Sequence, residues 1–457
     1  MVIARCTRKF RNKRNQIIGY ELMDQNGQTK QVRADLLKQV IREGKLRVEN
    51  LTLTSDNRLI DKSEVVQNLK SMFNIIKECE QDPELQKMIK MLRYEIITRE
   101  LIEKCNNSNS LKFKSNIASI DLVISKVKML GVDSIQKISE TVVMLRDQNN
   151  NIILVSTKPW GLPENSSFLF AEININHIDL RGIDTSNVTD MASMFGSCQA
   201  QTLDLSNFNT SNVTDMGWMF GRCQIQTLDL SSFNTSKVVT MEAMFKGCRA
   251  QTINISSFDT SNVTDMGEMF QGCEAQTLDL SNFNTSNVTD MSEMFQYCQA
   301  QTLDLSNFNT RNVTDMHRMF VYCQAKILDL SNFNTSNVTD MGEMFQYCQA
   351  QTLDLSNFNT SNVTDMCRMF YGCEAQILDL SNFNTGKVTY MSEMFSNCKV
   401  KTLDLSNFDT SKVTNMNHMF CHCRAQTLDL SNFDTSNVTD MIGMFSNCKA
   451  RLIGWRG

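Results

Sequence analysis

Between residues 177 and 451 the chain places apolar side chains at the same nine positions in every 25 residues. In the copy that begins at Thr202 these are Leu203, Leu205, Phe208, Val213, Met216, Met219, Phe220, Cys223 and Ile225. Leu203 and Leu205 flank Asp204, the period of two expected of a half-buried strand. Val213, Met216, Phe220 and Cys223 fall at i, i+3, i+7 and i+10, which predicts one face of a helix. Thr210, Ser211 and Asn212 precede that face and suit an N-cap, and Asp215 adds negative charge where the helix dipole favours it. Each copy is therefore expected to be one short strand, a turn and a short α or 3₁₀ helix. Eleven tandem copies at a fixed period signal a solenoid, in which each repeat is stabilised by stacking on its neighbours.

The flanks read differently. Residues 1–61 predict a small basic α+β module: strands at Val2–Phe10 and Gln16–Met23 across a basic loop, a turn at Asn26-Gly27, a helix over Ala34–Gly44 and a strand at Leu46–Leu53. Residues 62–106 predict a helical hairpin, with Asp82-Pro83 opening its second helix and Ile96, Leu101 and Ile102 on its apolar face. Residues 107–160 are a mixed α/β linker region, with a hairpin expected at Val142–Arg146 and Ile152–Val155. From 161 to 457 runs the solenoid. Its N-terminal cap is a degenerate half-repeat, in which Leu169, Phe170 and Ile173 fall in the core columns, and Trp455 is expected as a lid at the other end. The expected class is thus an α/β solenoid of the leucine-rich-repeat type, strand plus short helix, preceded by a small α+β head and a helical hairpin.

The repeat core, LDLSNF.T.NVT.M..MF..C, closely resembles the 25-residue repeat of the BspA-like leucine-rich repeat family, over residues 177–451. That family occurs in bacterial surface and host-interaction proteins. The resemblance implies a leucine-rich-repeat-type solenoid used for binding.

Charge divides the chain. Residues 177–451 carry 16 Lys and Arg against 29 Asp and Glu, a net of −13, and the remainder carries 29 against 21, a net of +8. An acidic array and a basic head lie behind the overall −5. The start, MVIARCTRKFRNKRNQ, lacks the apolar segment of a secretory signal, no run of 18 apolar residues exists, and the C-terminus has no hydrophobic tail. A cytoplasmic location is expected on these grounds, with the cell surface or secretion by a non-standard route as the alternative. Eleven of the 16 cysteines form one column from Cys198 to Cys448, expected to be a stack of reduced, buried thiols.

Several columns bear on chemistry. The position between the two strand leucines is Asp204, Asp229, Asp279, Asp304, Asp329, Asp354, Asp379, Asp404 and Asp429, with Asn254 as an exception. Stacked in register, these carboxylates repel by roughly 3–4 kcal/mol per neighbouring pair before solvent relaxation. Thr202-type and Ser206-type hydroxyls, cations or a basic partner are the available compensations. The core columns barely vary between copies, whereas two others vary strongly: Trp218, Glu268, Arg318, Glu343, Arg368 and His418 in one, and Arg222, Tyr297, Tyr322, Tyr347 and His422 in the other. Trp, Tyr and Arg are common interface anchors, so Trp218, Tyr297, Arg318, Tyr322, Tyr347, Arg368 and Tyr371 are the expected partner-binding residues. Arg5, Arg8, Lys9, Arg11, Lys13 and Arg14 form a basic patch suited to nucleic acid or an acidic partner, or to a solvated hairpin tip. His418, Cys421, His422 and Cys423 have metal-like spacing, but belong to unrelated columns. The Asn-Val-Thr sequons read as the turn into the helix. No Walker loop, GxSxG or Rossmann glycine run occurs, and no cofactor or metal is expected. The chain is thus expected to be a non-enzymatic binding or scaffold protein recognising a protein or glycan. A surface adhesin of the BspA-like type and a nucleic-acid-associated regulator are the alternatives.

Overall fold

The structure is a computed structural model that describes residues 2–11, 17–24, 28–33, 35, 37–38, 46–48, 51–53, 59–61, 95–117, 124, 134–147 and 149–455. It forms two compact units, Met1–Leu92 and Arg93–Gly457. Among the described residues no helix is long and apolar enough to cross a membrane.

In the first unit β1 (Val2–Arg11), β2 (Ile17–Asp24), β3 (Thr29–Arg33) and β4 (Leu46–Val48) form one sheet in the order β3-β2-β1-β4. The first two pair antiparallel and β4 joins β1 in parallel. The strand expected at Leu46–Leu53 is instead two, β4 and β5 (Leu51–Leu53), and the latter pairs antiparallel with β6 (Leu59–Asp61). Of the expected helix over Ala34–Gly44, Asp35, Leu37 and Lys38 are described, and they are helical.

Most of the expected helical hairpin, residues 62–94, lies outside the described residues. Its described end departs from expectation. Glu95–Ile96 is a strand, β7, and only Arg99–Glu103 is helical. β-branched Ile96, Ile97 and Thr98 favour extended backbone, and Thr98 then caps a new start by accepting the Leu101 amide at 3.3 Å. Ile97, Leu101 and Ile102 are buried in the core that runs through the repeats. The Arg99 guanidinium donates to the Phe168 and Ala171 carbonyls of the half-repeat.

The region expected to be a linker is part of the array. β8 (Ser110–Lys114), β9 (Ser134–Lys137), β10 (Val142–Arg146) and β11 (Asn151–Ser156) share a sheet with β13 (His177–Asp179) and β14 (Thr202–Asp204) of the first two repeats, in the order β14-β13-β8-β11-β10-β9. Ser110 lies opposite His177 in a parallel pair, so the strand side of the solenoid begins before its first repeat. The hairpin of β10 and β11 is present, and Asp147 closes its turn by accepting the Asn149 and Asn151 amides. β12 (Trp160–Gly161) pairs with β7.

Seven of the eleven repeats contribute a strand of two or three residues, as at Thr202–Asp204, to a parallel stack with a 25-residue register, and the copies at Thr277, Thr352, Ile377 and Thr402 continue it with single parallel bridges. A second column of single parallel bridges runs through Asp190, Asp215, Thr240, Asp265 and onward to Asp440. The segment expected to be helical contains no helix. The Met219, Gly221 and Cys223 amides bond back three residues, to Met216, Trp218 and Phe220, while Met216, Trp218, Phe220 and Arg222 donate to Thr240, Glu242, Met244 and Lys246 of the next repeat. Trp218 and Arg222 have φ of 57° and 54°, the left-handed third residues of the first and last of these three turns. Apolar spacing misleads here because a chain of such turns also brings every third or fourth side chain inward. The spacing reports which side chains are buried, not where the amides donate.

Inside, the columns stack. Phe170, Phe195, Phe220, Phe245 and their successors to Phe445 form a ladder of nearly parallel, stacked rings with centroids 5.4–5.9 Å apart. Such pairs contribute about 0.5–1.5 kcal/mol each beyond burial. Trp455 meets the last ring edge-on at 5.1 Å. The cysteine column is free thiol, buried through Cys423, with Cys223 and Cys248 sulfurs 3.4 Å apart. Thr210, expected as an N-cap, belongs instead to a buried threonine ladder. Its hydroxyl donates to the Asn234 carbonyl at 2.9 Å and accepts the Asn234 amide at 2.8 Å, and the same pair of bonds recurs along the column. Asn212 of the sequon column donates to the Ser186 carbonyl of the preceding repeat, so the side-chain amide is already engaged.

Because the buried Thr310 hydroxyl serves both the amide and the carbonyl of Asn334 in the next repeat, Thr310→Val is expected to destabilise by about 1–3 kcal/mol, read from the urea midpoint. Thr310→Ser, which retains the hydroxyl, is expected to recover most of that loss.

Candidate functional site

The strand-side aspartates are held by their own turns. Asp204 Oδ1 accepts the Ser206 amide at 3.1 Å and the Ser206 hydroxyl at 2.7 Å, and Asp279 and Asp429 repeat both contacts. Serine hydroxyl and amide bonds hold all nine carboxyls, from Asp204 to Asp429, below the usual aspartate range. The compensation thus comes from the Ser206-type residue. Asn254 adds a bond to Asp229 at 2.9 Å, and at the N-terminal end Arg181 pairs with Asp179 at 2.7 Å and reaches Asp204 at 3.8 Å.

A second carboxylate column escapes the sequence reading. Asp215, expected to favour a helix dipole, sits in the bridge column with Asp190, Asp265, Asp290, Asp315, Asp340 and Asp365. Its Oδ1 accepts the Gly217 amide at 2.8 Å. Here burial dominates and raises Asp265, Asp315 and Asp365. Asp340 is lowered by His317, whose Nδ1 lies 3.4 Å from it, a charge contact longer than a good hydrogen bond. Among the described residues no three His, Cys, Asp or Glu side chains converge to hold a metal. In the His418–Cys423 stretch, Cys423 is buried in the thiol column while His422 contacts Asn447.

The two columns that vary most are the two left-handed positions of the turn segment. Trp218, Glu268, Arg318, Glu343, Arg368 and His418 all have positive φ, as do Arg222, Tyr297, Tyr322, Tyr347 and His422. Gly247, Gly272, Gly372, Asn397 and Asn447 share the second column and the same conformation. The half-repeat keeps both positions, at Phe168 and Glu172. A non-glycine residue there costs about 1–2 kcal/mol. The inter-repeat bond donated by each of these amides offsets it. Apart from Ala243, their side chains lie outside the buried core columns, which permits the variation.

In the first column charges pair along the axis. Arg318 makes a two-pronged contact with Glu343, at 2.9 and 3.0 Å, with Glu293 at 3.7 Å on its other side, and Arg368 bonds Glu393. Trp218 is covered by the Lys246 ammonium, 4.9 Å above its ring. In the second column the tyrosines stack. Tyr297 and Tyr322 lie 4.9 Å apart, Tyr322 and Tyr347 4.6 Å, and Tyr371 closes the stripe edge-on at 5.1 Å from Tyr347. Of the head's basic residues, Arg5, Arg8 and Lys9 lie on β1 within the expected strand, Arg11 joins them because the strand runs one residue beyond Phe10, and Lys13 and Arg14 lie outside the described residues.

The profile of a family described as Mycoplasma protein of unknown function, DUF285, matches residues 164–283, 243–358 and 348–452, which together span the half-repeat and the array. No curated protein and no solved structure matches the chain.

The two aspartate ladders are expected to titrate apart in carbon-detected NMR, the strand-side group below the ordinary aspartate value and Asp265, Asp315 and Asp365 above it. The stabilisation from the first group is present above the ordinary value and is lost as pH falls. That of the second has the opposite sign, being lost as pH rises through their raised values. Ser281→Ala is expected to move Asp279 upward towards its ordinary value, and an unmoved Asp279 counts against the serine hydroxyl bond as the cause.

Proposed function

The chain belongs to the DUF285 family of Mycoplasma proteins of unknown function, and on that premise we propose that it is a non-enzymatic binding or scaffold protein whose repeat array recognises a protein or glycan partner. The observation that carries this reading is the tyrosine stripe, Tyr297, Tyr322, Tyr347 and Tyr371, on a scaffold whose buried columns barely change from copy to copy. Stacked rings present large amphipathic area with little conformational entropy to lose on binding. Arg318 and Arg368, engaged with Glu343 and Glu393, serve to set the charge beside the stripe rather than to anchor a partner. The likeness of the repeat core to the BspA-like repeat supports a recognition role of the leucine-rich kind, with a different backbone on the side opposite the strands.

The test replaces Tyr297, Tyr322 and Tyr347 together with glycine, which already occupies this left-handed column at Gly247, Gly272 and Gly372. The full chain and this variant are compared on panels of glycans and purified proteins. At least about tenfold weaker binding of the ligands held by the parent chain is expected, and equal binding refutes the role of the stripe.

A further inference from the structure

The C-terminal face of the array carries a set of junction groups with nothing to meet. The amides of Met441, Gly443, Phe445 and Asn447 have no acceptor among the described residues. Their counterparts one copy earlier, Met416, His418, Phe420 and His422, donate to the carbonyls of Asp440, Ile442, Met444 and Ser446. The threonine ladder stops in the same way. The Thr410 hydroxyl bonds both the carbonyl and the amide of Asp434, and Thr435 has no such partner among the described residues.

The apolar columns open on the same face. Phe433, Val438 and Phe445 are half-buried, where Phe408, Val413 and Phe420 are buried. Met441, Ile442, Leu452 and Ile453 are exposed. Trp455 packs edge-on against Phe445 and leaves these four in the open. The strand at Arg451–Ile453 pairs with Thr427–Asp429 on one side and has no strand on the other among the described residues. The chain then leaves the stack at Gly454, whose φ is 70° and on which a Cβ would lie 2.6 Å from the Ser431 Cα.

The unmet groups select the occupant. A second copy docked tail to tail sets one row of donors against another and leaves both dehydrated and unpaired. A second copy docked head to tail meets a closed end, because Arg99 already donates to the Phe168 and Ala171 carbonyls and Ile97, Leu101 and Ile102 join the core there. A polyanion brings acceptors but nothing for the open Phe, Met and Leu columns. At the interior junctions a single kind of neighbour satisfies all of these groups at once. It is a repeat in register, with carbonyls at alternate residues, a backbone amide and carbonyl for the threonine, and apolar side chains for the columns.

We infer that the C-terminal face of the array binds a repeat of the same 25-residue kind, supplied by another polypeptide and docked coaxially in register. The partner is an array whose leading repeat lacks a cap of the kind that residues 95–105 form here. This surface is separate from the tyrosine stripe and does not depend on it.

The test is hydrogen–deuterium exchange of the full chain, under reductant, with a synthetic peptide of residues 277–326 and with a scrambled peptide of the same composition. Two repeats are used so that the docked one is backed by a neighbour. The repeat peptide is expected to slow exchange at 441–447 at least about tenfold, and the scrambled peptide to leave it unchanged. Side chains in the column of Ile442 lean towards the next repeat, since a Cβ on Gly217 would lie 3.5 Å from the Glu242 carbonyl oxygen. Ile442→Glu therefore sets a charge in the face, at a residue 74% exposed that the fold does not need, and is expected to weaken peptide binding at least about tenfold. Leu452→Glu, at the open end of the leucine column, is expected to do the same, with the melting temperature reporting whether the last strand survives. Replacing Tyr297, Tyr322 and Tyr347 with glycine is expected to leave peptide binding unchanged, so loss of the stripe and loss of the end face are told apart. No protection at about 0.2 mM peptide, equal protection by the scrambled peptide, or unchanged binding by Ile442→Glu each overturns the inference. Light scattering is expected to show no self-association through this face, and a dimer that Ile442→Glu disperses overturns the inference in favour of a second copy.

Discussion

In the turn segment of every repeat but the last, alternate amides donate to carbonyls 24 residues ahead, and the intervening amides close turns upon themselves. That division of backbone hydrogen bonds is the constraint on which the rest depends. A helix satisfies its amides locally and needs neighbours only to bury a face. Here half the amides have no partner unless the next repeat is present in register, so folding and stacking are one event. The 25-residue period is thereby enforced, since an insertion in one copy would orphan a run of buried donors. The threonine ladder applies the same rule with a side chain, because each hydroxyl is donor and acceptor to a single neighbouring residue.

The same constraint produces the surface. Directing alternate amides along the axis requires left-handed backbone twice per repeat, and those residues project outward. They are freed from packing but restricted in conformation. Glycine, asparagine and large residues stabilised by axial stacking all occur there. The ion pairs of Arg318 and Arg368 and the tyrosine stack therefore have structural as well as surface character, each lining up with its counterpart in the next repeat. A surface stripe built this way is altered one residue at a time.

The two carboxylate columns show how local bonding decides charge behaviour. Both stack like charges in register. The strand-side column is exposed and accepts a serine hydroxyl and amide, which favours the ionised form. In the inner column Asp265, Asp315 and Asp365 are half-buried with an amide bond alone, and burial raises them. Repulsion between neighbours is a minor contribution in both.

The sequence by itself determined the period, the number of copies, the strand leucines, the buried Met, Phe and Cys columns and the candidate tyrosines, because burial repeats with the chain and leaves its mark on composition. Only the tertiary structure decided that the second half of each repeat is a run of turns. Apolar spacing cannot distinguish two backbones that bury the same side chains. One signal was present: Gly247, Gly272, Gly372, Asn397 and Asn447 share a column, as expected of a left-handed position. The union of β8 with the first repeat and the second aspartate column depend on which residues meet across 25 or more positions, and a single chain does not write such meetings locally.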